Sequence, residues 1–150
     1  MSYVGGGTDL ASFYKNRKGA VLSTCIDKYM YITLHKRFEK GIRLSYSRTE
    51  EVASLEDIQH PLVKEALQLM EVYDGIEITS TADIPSTGSG LGSSSSYTVG
   101  ILSALSKYKG LKLSPKDLAN MACEIEIGRL GAVSGKQDQF AIAHGGLKLY

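Results

Sequence analysis

Asp83-Ile84-Pro85-Ser86-Thr87-Gly88-Ser89-Gly90-Leu91-Gly92-Ser93-Ser94-Ser95-Ser96 is the stretch on which the reading of this chain turns. Before it, Ile76, Ile78, Ser80 and Ala82 alternate with Glu77, Thr79 and Thr81. After it comes a helical stripe of Tyr97, Ile101, Leu102 and Leu105. The spacing predicts strand, loop and helix, with the helix running from about Ser93 to Tyr108 and ended by Gly110. Gly88, Gly90 and Gly92 can take positive φ and let backbone N–H groups approach a ligand closely. The helix near Ser93 turns its unpaired N–H groups and the positive end of its dipole toward the same loop. Together these suit a triphosphate, and the Ser93 and Ser94 hydroxyls can bond phosphate oxygens or enter a magnesium shell. The loop lacks the Gly-Lys-Ser/Thr ending of a Walker A motif, and its Gly-x-Gly-x-Gly spacing is not the dinucleotide fingerprint.

Upstream, Ala20–Asp27, Tyr29–Lys36 and the run Ile42, Leu44, Tyr46 each alternate with period two. They predict three strands, at least two of them in a hairpin, with Lys40-Gly41 as the turn before the third. A helix opens at Pro61, carries Leu62, Val63, Ala66, Leu67 and Met70 as its stripe, and is ended by Gly75. Downstream, Ser114 caps a helix that has Pro115 first and Asp117 in its first turn and runs to about Leu130. The order strand, strand, strand, helix, strand, helix, helix predicts an α+β fold rather than a doubly wound parallel sheet. Residues Ser2–Asp9 leave little room for a strand ahead of the glycine turn. The apolar run Gly146–Tyr150 suggests that the chain is part of a longer protein.

The bulk properties narrow the function classes. A chain of 150 residues with 43% hydrophobic and 22% charged residues fits one globular domain. A net charge of +1 gives no reason to invoke nucleic acid or an anionic membrane as partner. No segment resembles a signal peptide or a membrane span, so the expected location is the cytoplasm. Cys25 and Cys123 read as two buried free thiols, too few and too far apart for a metal cluster. His35, His60 and His144 lack metal-ligand spacing.

Two carboxylates stand out. Glu124 shares a helix face with Asp117, Asn120 and Gly128 and should be solvated. Glu126 shares one with Ala119, Ala122 and Leu130 and should be at least half buried. A carboxylate there needs a cation or hydrogen-bond donors to offset its desolvation. Arg129 is the ordinary partner for it and magnesium the chemically interesting one. Asp138 follows a Ser134-Gly135 turn and is either a plain turn residue or a carboxylate facing a cleft. Magnesium–ATP chemistry calls for one carboxylate that shares the metal with a hydroxyl. It needs a second to orient and deprotonate the attacking hydroxyl.

Pro85-Ser86-Thr87-Gly88-Ser89-Gly90-Leu91-Gly92-Ser93-Ser94 resembles the ATP-binding signature of the galactokinase, homoserine kinase, mevalonate kinase and phosphomevalonate kinase (GHMP) superfamily. One residue is inserted in the spacer, and Ser95 and Ser96 stand where the signature usually has alanines. The resemblance implies an N-terminal GHMP domain over residues 1–150, with a ribosomal protein S5 domain 2-like fold and with the family's C-terminal domain outside this chain. It implies ATP and Mg2+ as cofactors, with Pro85, Gly88, Ser89, Gly90, Leu91, Gly92, Ser93, Ser94 and Ser95 around the nucleotide and Ser94 and Glu126 on the metal. Gly135-Lys136-Gln137-Asp138-Gln139-Phe140 resembles the galactokinase segment in which the Asp is the proposed base, which makes Asp138 the catalytic candidate. Gly5-Gly6-Gly7-Thr8-Asp9 resembles the turn of the heptose kinase and fucokinase branch, which implies Gly7, Thr8, Asp9 and Gly135 at the sugar. Met1-Ser2-Tyr3-Val4 lacks the Arg that the family usually carries before that turn.

The expected activity is therefore transfer of the γ-phosphoryl group of ATP to a sugar or sugar-phosphate hydroxyl. D-glycero-D-manno-heptose 7-phosphate is the first substrate expectation and L-fucose the second. The alternative is a fragment that folds, binds ligand or forms a homodimer, and does not turn over. An RNA-binding S5-like module is a weaker third reading, because no basic patch interleaved with aromatics is present.

Overall fold

In the computed structural model, residues 1–84 and 90–150 are described. Pro85, Gly88 and Ser89 of the expected phosphate loop lie outside them.

Alternating branched and polar side chains build a four-stranded sheet from β3 (Met30–Lys36), β4 (Ile42–Ser45), β5 (Thr49–Val52) and β6 (Ile76–Ala82), in the order β3-β6-β4-β5. β6 runs antiparallel to β3, from Met30 opposite Ala82 to Lys36 opposite Ile76, and parallel to β4, from Ile42 opposite Ile76 to Ser45 opposite Thr79. That register stacks Ile42, Leu44, Ile76 and Ile78 in one core. There they meet Val63, Ala66 and Leu67 of α2 (Pro61–Leu69) and Ile101, Leu102 and Leu105 of α3 (Ser93–Tyr108). Each large aliphatic side chain buried there contributes about 1.5–3 kcal/mol before entropy is counted. A Cβ at Gly100 would stand 3.0 Å from Ile32 Cγ1, so the glycine lets α3 lie close against β3.

The hairpin expected among the Ala20–Asp27, Tyr29–Lys36 and Ile42–Tyr46 runs is not formed, since none of the three pairs with another. β6 enters between β3 and β4, and the hairpin partner of β4 is β5, a strand that its pattern of Thr49, Glu50, Glu51 and Val52 concealed. The loop before β6 helps fix this order: the Asp74 carboxylate accepts from Gly41 N–H, and Gly75 N–H donates to Gly41 O.

A second, three-stranded antiparallel sheet has the order β1-β2-β7. Its strands are β1 (Ser2–Val4), β2 (Leu22–Thr24) and β7 (Leu147–Leu149). The Ser2–Val4 segment thus does hold a strand, a short one whose side chains are all exposed. Only three residues of the Ala20–Asp27 run are strand, because its partners are themselves that short. Cys25, expected to be buried, is exposed just past β2 and donates its Sγ–H to Ala141 O; Cys123 is buried, and both thiols are free.

The remaining helices are α1 (Ala11–Tyr14), α4 (Pro115–Cys123) and α5 (Gln137–His144); α4 and α5 pack on each other and on α3, and α5 also meets β2. Ser114 and Asp117 close a capping box on α4 as expected. The helix expected to continue to Leu130 changes to π turns over Glu124–Arg129, and Leu130 N–H reaches back to Ile125 O. Gly128, a weak helix former, lies inside that stretch. Asp138 is not in a loop but in the first turn of α5. No helix among the described residues is long and apolar enough to cross a membrane.

Candidate active site

α3 begins at a glycine because its cap, Gly92, has φ 72° and ψ 27°, a left-handed conformation that strains any residue with a Cβ. The backbone there closes the first turn through Ser96 N–H to Gly92 O. Gly90, Leu91, Gly92, Ser93 and Ser96 form one wall of a cleft of about 770 Å³, and Gln137, Asp138 and Ile142 of α5 form part of another. A Cβ added at Gly92 would lie 3.5 Å from both Cγ and Oδ2 of Asp138. The sequence-predicted base therefore faces Gly92, the last glycine of the sequence-predicted phosphate loop, at the start of α3. The Asp138 side chain is exposed to the cleft, yet protein on its flanks desolvates it. That desolvation, joined by the Asp9 charge and opposed by the chain's ammonium terminus, leaves its carboxyl above the usual Asp range.

Asp9 reaches the same end of the molecule by a different device. Its Oδ1 accepts from Gly7 N–H at 2.9 Å, and its Oδ2 accepts from Gln137 N–H at 3.1 Å, 128 residues away. Lys136, the residue before α5, offers no capping side chain, so Asp9 supplies the negative charge at that helix N-terminus. Gly135 makes room for it: a Cβ there would fall 1.7 Å from Asp9 Oδ2. Thr8 spends its hydroxyl on the backbone, donating to Gly5 O at 2.7 Å. Gly7, Thr8, Asp9 and Gly135 thus form one joint. Lys136 lays its ammonium 4.6 Å from the centre of the Tyr14 ring.

Glu126 lies behind the cleft wall, 5% exposed. Its Oε2 accepts from Ser95 Oγ at 3.0 Å and from Gln139 Nε2 at 3.1 Å, while its Oε1 has no hydrogen-bond partner. Burial pushes its carboxyl up; the hydrogen bonds from Ser95 and Gln139 only partly offset this, and the Asp138 charge adds to it. Arg129, expected as its ordinary partner, turns instead to Glu124 at 2.9 Å and Glu65 at 3.3 Å.

The resemblance implies that Ser94 and Glu126 share a metal; the hydroxyl that donates directly to the Glu126 carboxylate is that of Ser95. Successive helical residues are turned by about 100°, so Ser95 shares the inward face with Thr98 and Leu102 while Ser94 stays exposed. Ser94 O accepts from Thr98 Oγ1. Gln139 was quoted in the sequence motif but given no role there. Its signal was its place one residue after Asp138, on the opposite side of a helix that the pattern did not reveal.

An orphaned, buried carboxylate oxygen with a raised carboxyl is what a cation site leaves when described without its ion, and Glu126 Oε1 fits that description. Among the described residues no group of three His, Cys, Asp or Glu could hold a metal. A cation here would therefore draw the rest of its oxygen shell from hydroxyls, nucleotide phosphates and water.

Known proteins resemble this chain in sequence and in fold. The family model described as "GHMP kinases N terminal domain" matches residues 61–146. The D-glycero-alpha-D-manno-heptose 7-phosphate kinase of Campylobacter jejuni is 32% identical over 97% of this chain and 46% of its own length. The galactokinase of Pyrococcus furiosus is 30% identical over 85% of this chain and 38% of its own. Among solved structures, a D-glycero-D-manno-heptose 1-phosphate kinase from Bacteroides thetaiotaomicron superposes with a TM-score of 0.89 at 28% identity, covering 99% of this chain and 52% of that one. This chain belongs to the GHMP kinase family, as an N-terminal domain. It spans about half the length of the two heptose phosphate kinases and less of the galactokinase.

Proposed function

We propose that this domain serves a kinase that transfers the γ-phosphoryl group of ATP to a hydroxyl of a sugar or sugar phosphate, with D-glycero-D-manno-heptose 7-phosphate as the first candidate. The observation that carries the proposal is the Asp138 carboxylate facing the cleft against Gly92, at the N-terminus of α3. The N–H groups of Gly90–Ser93 and the dipole of α3 suit the nucleotide phosphates. Ser94 and Glu126 Oε1 would hold Mg2+, which, when bound, neutralises phosphate charge. Asp138 accepts the proton of the attacking sugar hydroxyl as the new O–P bond forms and the bond to the β-phosphate oxygen breaks, releasing ADP. A carboxyl held above its usual range is a better proton acceptor than an ordinary one. Each Asp9 oxygen is engaged by one backbone N–H and keeps a further acceptor site, which a sugar hydroxyl can use.

Support for the substrate class comes from relatives whose names carry heptose phosphates. A soluble metabolic kinase of this kind would work in the cytoplasm. The test is transfer from ATP to D-glycero-D-manno-heptose 7-phosphate by a protein that joins this chain to the C-terminal half its relatives carry. Asp138→Asn is expected to lower kcat by at least about 100-fold, the lower range for losing a general base. An Asp138→Asn variant as fast as the parent would sink the proposal.

A further inference from the structure

Three helical segments meet at Glu126. The carboxylate comes from the π turn, Ser95 from the first turn of α3, and Gln139 from α5. All three side chains are at least 95% buried, so water does not compete for their hydrogen bonds. Both donors go to the same oxygen, Oε2, at 3.0 and 3.1 Å, although Oε1 is equally buried and has none. A carboxylate held only for stability would gain more from one donor on each oxygen, because an unpaired buried acceptor costs about 1–3 kcal/mol. The amide orientation is consistent with this: Gln139 turns its N–H group to Glu126 and leaves its own Oε1 without a partner.

We propose that Ser95 and Gln139 are positioning residues that fix the rotation of the Glu126 carboxylate, so that Oε1 alone is offered to a divalent cation. The inference rests on the reading of Glu126 as a metal carboxylate and adds which residues aim it. It also gives Ser95 a part beyond helix packing, at a position where the family signature usually has an alanine that could not supply this bond. Gln139 further ties the aim of Glu126 to the placing of the neighbouring Asp138, because both ride on the first turn of α5.

The experiment is calorimetric titration of this chain with a non-hydrolysable ATP analogue, at saturating magnesium and again in EDTA. It compares the parent with Ser95→Ala and Gln139→Met and records a melting temperature for each. Both variants are expected to weaken binding in magnesium by about 10-fold, the typical loss when the hydrogen-bond partner of a metal ligand is removed. Affinity in EDTA is expected to stay at the parent value. Ser95→Ala guards against a folding artefact, since alanine is the better helix former. Equal losses with and without magnesium, following a lower melting temperature, would show a merely structural pair and overturn the inference. So would variants that bind like the parent in magnesium. A parent whose binding ignores magnesium would instead remove the metal reading of Glu126, and this inference with it.

Discussion

Asp9 and Glu126 each accept hydrogen bonds from two donors, and the bonds are shared differently: Asp9 has both oxygens engaged, Glu126 only one. Asp9 gives one oxygen to Gly7 N–H and the other to Gln137 N–H, so each oxygen is already engaged. It stitches the N-terminal turn to the start of α5, with Gly135 pressed against it. Glu126 places both donors on Oε2 and keeps Oε1 bare. Breaking the first should cost stability; changing the second should cost binding while sparing the fold.

The largest effect expected is that of Gly135→Ala. Its Cβ would collide with Asp9 Oδ2, and forcing the two apart should cost about 3 kcal/mol. For a chain of this size that lowers Tm by roughly 6–12 °C in a calorimetric scan. An unchanged Tm would mean that the joint is loose. Next comes Asp9→Ala, which strips the charge from α5 and orphans two N–H groups, a loss of about 2 kcal/mol by urea denaturation. Asp9→Asn, which keeps one acceptor oxygen, should lose about half of that.

Glu126→Gln should change stability at neutral pH by no more than about 1 kcal/mol, with a sign that depends on pH. The folded-state carboxyl of Glu126 lies above its unfolded value of 4.5, so the native state binds this proton more tightly. Its contribution is fullest below pH 4.5 and is lost as pH rises toward the folded value. The parent should therefore lose stability relative to Glu126→Gln between acidic and neutral pH. Asp138 is raised too, but it is present in both proteins and cancels. A flat difference across that range would contradict the burial of an unpaired carboxylate. Smallest is Ser94→Ala at an exposed position, expected within about 0.5 kcal/mol of the parent in melting. Its loss should show only in magnesium-dependent nucleotide affinity.

The same contrast explains what the sequence disclosed. α3 was legible to the residue, because its stripe and its Gly92–Ser93 start are local signals. So was β6, whose period is clean; α2 opens at Pro61 as expected but stops at Leu69, well short of Gly75, where Met70 and the positive φ of Glu71 break the helix. α5 was not, because its cap comes from Asp9 rather than from Lys136 or its neighbours. The pairing of β4 with β6 was hidden as well, since those segments lie more than thirty residues apart, and β5 was hidden by its polar Thr49-Glu50-Glu51 pattern. Within the site, Gly92 stood out by spacing and Glu126 by its half-buried helix face, whereas Asp138 stood out only beside the glycine–serine loop and through the family resemblance. Ser95 and Gln139 did not, because their importance lies in a meeting of three helices that no single segment encodes.

The most direct measurement of the central claim is nucleotide affinity in magnesium set against affinity in EDTA, for the parent and for Glu126→Gln, with the fold of each checked by circular dichroism. The account predicts that the parent binds ATP more tightly with magnesium and that Glu126→Gln, equally folded, loses that gain. A Glu126→Gln variant that keeps the full magnesium gain would contradict it.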